Sequence, residues 1–219
     1  MKMTLPNILS IIRLLAAPCV PLVFLVVARP YADWVALILF AGASVTDWFD
    51  GYLARKWNQM TKLGTMLDPI ADKAMVVTAL MTLVALTGFA FWILVPTVLI
   101  LFRETFVSGL REYLGDTAGT LMVTKLAKWK TTVQMVAVSV LFAHGIFEHH
   151  VGMASFGMDG QTFDAILSGE VEDVLGLRWK YAAYFWAGNG GAALLWLAMV
   201  LTALSGFDYF RKALPYLKD

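Results

Sequence analysis

Residues Asp47 to Asp72 read DWFDGYLARKWNQMTKLGTMLDPIAD. Apolar stretches long enough to cross a bilayer, about Trp34–Leu53 and Ile70–Phe89, overlap its two ends. Residues three and four apart share a helix face, so Asp47 pairs with Asp50 and Asp68 with Asp72. The short turn between the helices brings the two faces together. An aspartate at the centre of a membrane helix costs about 2.5–3.5 kcal/mol. Nearer the end each costs less, but clustering adds repulsion. Arg55 and Lys73 are too few to balance four carboxylates. Two divalent cations are enough, and carboxylate oxygens suit hard ions such as magnesium or manganese.

The rest of the chain agrees with a membrane setting. Of 219 residues, 59% are hydrophobic and 15% charged, against about 45–50% and about 25% in soluble domains. Mean hydropathy is +0.70. Six apolar runs approach the roughly 20 residues that a spanning helix needs: about Ile8–Val27, Trp34–Leu53, Ile70–Phe89, Phe91–Leu110, Leu126–Phe147 and Tyr181–Leu204. Pro6 precedes the first, Pro18 and Pro21 interrupt it and no small-residue cleavage site follows, so it reads as a retained anchor. The expectation is an all-α membrane protein of six transmembrane helices, a single domain over 1–219. Its one substantial loop is about Glu148–Lys180.

An even number of spans puts both termini on one side. Only Arg29, Arg178 and Lys180 fall on the other, leaving fourteen of the 17 lysines and arginines on the terminal side. The positive-inside rule makes that side cytoplasmic. Net charge of +1 gives no argument for nucleic acid. The single cysteine, Cys19, excludes an intramolecular disulfide and a cysteine-based zinc site.

The spaces between the acids are patterned too. Asp47-x2-Asp50-Gly51-x2-Ala54-Arg55 is followed after eight residues by Gly64-x3-Asp68-x3-Asp72. Gly51, Ala54 and Gly64 remove bulk where a ligand or second helix approaches. Arg55, one turn past Asp50, is placed to meet a phosphate. Eight specified residues at fixed spacing arise by chance on the order of once in 10^10 starting positions. The array resembles the signature of the CDP-alcohol phosphotransferase family. That resemblance implies six transmembrane helices, a cytoplasm-facing cavity in a bacterial inner membrane, and a homodimer. It also implies two Mg2+ or Mn2+ ions on Asp47, Asp50, Asp68 and Asp72, with Asp72 as the base. Gly51, Ala54, Arg55 and Gly64 would then meet CDP-diacylglycerol.

The family varies in its acceptor. Arg103-Glu104 and Arg111-Glu112 stand eight residues apart near the end of the fourth run, and Lys125, Lys128 and Lys130 open the fifth. Converging arginine and lysine suit a phosphate dianion, although basic residues also flank spans generally. The segments Leu5–Arg13, Arg103–Glu112 and Lys128–Thr131 resemble the branch whose acceptor is glycerol 3-phosphate. There Arg103, Arg111 and Lys128 would hold its phosphate, giving phosphatidylglycerophosphate and CMP. Inositol phosphate is the alternative acceptor. Asn7, Ser10 and Arg13 recur every three residues. They are placed either to approach the nucleotide or to act as an N-cap with a snorkelling arginine.

A cation transporter also places acids in the membrane. It has no need of Gly51, Ala54, Arg55 and Gly64 at fixed intervals, and its acids would line both halves of a path.

Overall fold

The computed structural model describes residues 4–56, 61–115 and 125–217, without the side chains of residues 6, 47–56 and 125–128. Seven α-helices follow in order. They are α1 (Leu5–Val26), α2 (Tyr31–Lys56), α3 (Lys62–Leu86), α4 (Phe91–Leu114), α5 (Lys125–Ala154), α6 (Gly160–Ser168) and α7 (Leu177–Ala213). A 3-10 turn, Leu214–Tyr216, closes the chain. Among the described residues, five helices are long and apolar enough to cross a membrane: α1, α3, α4, α5 and α7. In α2, a helix of 26 residues, the apolar stretch Tyr31–Thr46 covers the residues whose side chains are described. The chain is an integral membrane protein.

Contacts between helices fix their directions. Ser10 and Arg13 of α1 meet Asp68 and Asp72 of α3, so the two run parallel. Lys73 of α3 meets Ser108 near the end of α4, whereas Asp33 and Ser44 of α2 face Gly145 and Met135 of α5 in reverse order. Trp196 and Ser205 of α7 follow Trp92 and Arg103 of α4 in the same order. His144 and Leu141 of α5 meet Gly188 and Gly191 of α7 antiparallel. The six long helices therefore alternate in direction. The start of α1, the ends of α2 and α4, the start of α5 and the end of α7 share one end of the bundle.

Small residues set the closest approaches, as membrane packing requires. A Cβ on Gly188 would lie 2.7 Å from the His144 ring, and one on Gly191 2.9 Å from Leu141. Phe40, Phe142, Leu80 and Leu195 fill the centre of the core. Pro18 and Pro21 lie inside α1, which continues through both; neighbouring helices and local adjustment make this tolerable in a membrane helix.

At the end remote from the aspartate motif, Asp33 is 1% exposed. Arg29 grips its carboxylate with two nitrogens, at 2.8 and 3.1 Å, and reaches Glu148 of α5 at 3.0 Å. Gly145 makes room for this clasp, since a Cβ there would lie 2.2 Å from Asp33 Oδ1.

The connection expected as a loop over 148–180 is mostly structured. α5 continues to Ala154, and α6 packs Ile166 against Ala154 and Leu177. Asp159 caps α6 through the Thr162 N–H, and Asp173 accepts from the Arg178 and Leu177 N–H groups. These backbone donors hold both carboxyls below the usual range. The caps therefore stabilise above the ordinary carboxylate pKa and are lost as pH falls through the lowered value.

Gly145→Ala drives a methyl group into the clasp. It should destabilise the protein by about 1–3 kcal/mol, read as a lower Tm in detergent. Gly42→Ala, where nothing lies within 4 Å of the added carbon, should leave Tm nearly unchanged.

Candidate active site

One face of α1 carries the polar side chains, and α3 answers it rung by rung. Thr61, at the N-cap of α3, accepts the Gly64 N–H at 3.0 Å and donates to Asn7 Oδ1 at 2.7 Å. Ser10 donates to Asp68 Oδ1 at 2.5 Å, and Arg13 Nη1 to Asp72 Oδ1 at 2.6 Å. Three-residue steps on α1 meet steps of seven and four on the α3 side, spacings that keep partners on one face. Asn7, Ser10 and Arg13 are 1%, 1% and 2% exposed, so these are interior contacts, and Arg13 does not snorkel to the rim. Gly64 is required by the same packing: a Cβ there would lie 2.8 Å from Asn7 Oδ1. The capping hydroxyl of Thr61 starts α3 early enough to put Asp68 in its second turn, whereas Asp68-Pro69 in the sequence also fits a helix start.

The side chains of Asp47, Asp50, Gly51, Ala54 and Arg55 lie outside the described residues, but their helix does not. Asp50 and Asp68 each stand six residues from the facing ends of α2 and α3, about 9 Å at 1.5 Å per residue. Asp47 and Asp72 stand about 14 and 15 Å in, by the same rise. The four positions thus fall at two matching depths. Among the described residues, no three candidate metal ligands converge, so a dimetal site needs Asp47 and Asp50 to complete it. The donor set of Asp68 and Asp72 is oxygen only and lies on one helix face, which fits a hard divalent cation.

A second polar cluster occupies the same end of the bundle, among α4, α5 and α7. Arg103 donates to Glu104 Oε1 at 3.0 Å and to Ser205 at 3.2 Å. Lys130 of α5, 7% exposed, meets the same Glu104 oxygen. Gly206 lets the arginine pass, since a Cβ would lie 2.8 Å from Arg103 Cγ. Two turns along α4, Arg111 sits over the Tyr209 ring, 5.1 Å from its centroid. Both arginines therefore face α7, as their spacing predicts. The side chains of Lys125 and Lys128 lie outside the described residues. Glu104, Ser205 and Gly206 gave no separate signal in the sequence, although a Ser-Gly pair inside an apolar span marks a close approach.

Lys73 joins the two clusters. It follows Asp72 in the chain and contacts Ser108 of α4, whose hydroxyl donates to the Glu104 carbonyl at 2.6 Å. A cavity of about 540 Å3 lined by Trp92, His144, Tyr184, Asn189 and Trp196 lies nearer the opposite end and touches neither cluster.

The carboxylates of Asp68 and Asp72 and the cations of Arg103 and Lys130 thus stand at the same end of the bundle, with Lys73 between them. Residues 3–164 match the CDP-alcohol phosphatidyltransferase family, and the chain belongs to it. It is 53% identical over 219 residues, all of this chain and 99% of the relative, to the CDP-diacylglycerol–glycerol-3-phosphate 3-phosphatidyltransferase of Cereibacter sphaeroides. It is 36% identical to the Rickettsia bellii protein of that name over 212 residues, 97% of this chain and 96% of the relative. The Escherichia coli protein of that name is 37% identical over 159 residues, 71% of this chain and 86% of the relative.

Gly64→Ala should displace Asn7 and lower Tm. Asn7→Ala in the same chain removes the clash, so a double-mutant cycle should give a favourable coupling of roughly 0.5–3 kcal/mol. Additive losses would mean that the two residues do not oppose each other.

Proposed function

We propose that this protein transfers the phosphatidyl group of CDP-diacylglycerol to sn-glycerol 3-phosphate. The products are phosphatidylglycerophosphate and CMP, on the way to phosphatidylglycerol and cardiolipin. The observation that carries this reading is the pair of clusters at one end of the bundle, carboxylates at Asp68 and Asp72 and cations at Arg103 and Lys130, linked through Lys73 and Ser108. The names of the relatives support the choice of acceptor.

The whole chain, 1–219, acts as one domain of six transmembrane helices in a bacterial inner membrane. Both termini and the site face the cytoplasm, where both water-soluble compounds, glycerol 3-phosphate and CMP, are found. The alternating direction of the six long helices supports this topology, and the working form is a homodimer.

Donor and acceptor are held by different clusters. Gly51, Ala54 and Gly64 leave room for CDP-diacylglycerol, and Arg55 meets a donor phosphate. Arg103, Arg111 and Lys128 hold the phosphate of glycerol 3-phosphate, turning its free hydroxyl toward the carboxylates. Held this way, the two reactants need no further loss of translational freedom before they react. When bound by Asp47, Asp50, Asp68 and Asp72, two Mg2+ or Mn2+ ions supply charge neutralisation at the pyrophosphate and the leaving CMP.

Asp72 takes the proton from the acceptor hydroxyl as that oxygen attacks the phosphorus bearing diacylglycerol. The bond from this phosphorus to the bridging oxygen breaks, and its electron pair leaves with CMP. Arg13 keeps the Asp72 carboxylate in place by gripping one oxygen. Ser10 does the same for Asp68.

CMP release from CDP-diacylglycerol should be fastest with glycerol 3-phosphate by kcat/KM, stop in excess chelator and return with magnesium or manganese. Faster turnover with inositol phosphate or plain glycerol would overturn the acceptor, and full activity in chelator would overturn the metals. Cation uptake by proteoliposomes without CMP release would favour a transporter instead.

Asp72→Asn keeps size and removes basicity. It should lower kcat by about 10^2-fold or more while donor binding in the presence of metal survives. Donor binding lost as completely as in Asp47→Asn would make Asp72 chiefly a ligand.

A further inference from the structure

Glu104 is an acid in the middle of a pocket read as binding an anion. Its Oε1 takes both Arg103 Nη1, at 3.0 Å, and Lys130 Nζ. The two cations come from different helices and repel each other in surroundings poor in water, where charge interactions are strongest. Among the described residues, Glu104 is the only acid in contact with either. Sharing one oxygen holds the two nitrogens within about 6 Å of each other, a gap that a single phosphate group bridges with ordinary hydrogen-bond lengths. Ser205 braces the far side of the guanidinium, and Gly206 gives its stem passage. The Arg103 Nε is buried and has no hydrogen-bond partner among the described residues.

The geometry assigns Glu104 the role of positioning residue for the acceptor site. It gathers Arg103 and Lys130 into one anion-binding pair, so Lys130 joins the cations that hold the acceptor phosphate. Glu104 itself touches neither substrate and acts through the two cations. Cations held apart by their own repulsion meet a phosphate singly, whereas cations held together meet it as a pair. This assignment rests on reading the α4–α5 cations as the acceptor site.

The test uses the purified full-length protein, with KM measured separately for glycerol 3-phosphate and CDP-diacylglycerol. Glu104→Gln keeps the shape of the side chain and removes its charge. It should raise KM for glycerol 3-phosphate about tenfold, with KM for CDP-diacylglycerol within about twofold, the split that marks loss of acceptor binding. Glu104→Asp, one methylene shorter, should keep part of the affinity, with a rise of about threefold. If Glu104→Gln does not fold, Glu104→Asp carries the test alone. An unchanged KM for glycerol 3-phosphate, or equal rises for both substrates, would overturn the assignment. A lower KM would also overturn it, because Glu104 would then compete with the phosphate. Arg103→Gln and Lys130→Gln separate the two levels: if neither raises KM for glycerol 3-phosphate, the acceptor-site reading fails. If they raise it and the Glu104 variants do not, only the role of Glu104 falls.

Discussion

A carboxylate inside an apolar helix has to be held by something, and here α1 holds it. Arg13 and Ser10 are almost wholly buried and reach Asp72 and Asp68 directly. The buried guanidinium of Arg13 finds a carboxylate on α3, and this contact, with the Ser10–Asp68 bond, holds the two helices in register. Because the pairs run in the same order on both helices, α1 and α3 must be parallel. The intervening α2 then has to cross back, and its end carries Asp47 and Asp50 to the same end as Asp68 and Asp72.

The cluster among α4, α5 and α7 follows the same rule with the signs reversed. Lys130 is a buried cation, Arg103 is mostly buried, and Glu104 is their common counter-ion. Two compensated charge clusters therefore share one end of the bundle, with Lys73 between them, and the clasp of Arg29, Asp33 and Glu148 stands at the other. Cations gathered in advance by a fixed carboxylate are preorganised, the property that polar catalysis exploits.

Much of this was legible in the sequence. The aspartate spacing marked two helices whose ends meet, α2 and α3, because acids in apolar runs are costly and rarely accidental. The facing of Arg103 and Arg111 followed from helical period alone. Other features depended on what lies opposite. Gly145, Gly188 and Gly206 each admit a particular side chain from another helix, and no single-chain pattern says which. Thr61 outcompeted Asp68 as the start of α3 because its hydroxyl meets both Gly64 and Asn7, a contact across 54 positions. Asn7, Ser10 and Arg13 fitted two readings until their partners were known. α6 was hidden in a connection whose composition resembles an ordinary polar loop.

The clasp at Arg29, Asp33 and Gly145 acts at a distance through leverage. Asp33 and Asp50 stand 17 positions apart on one helix, a rigid arm of about 26 Å at 1.5 Å per residue. Pivoting that arm by about 2° swings its far tip by nearly 1 Å, and misplacement by about 1 Å can cost a reaction on the order of 10^2-fold. An ion pair with no chemistry of its own thereby bears on where the far end of α2 lies. What such a pivot governs is the alignment of a whole helix, far beyond the atoms that it touches.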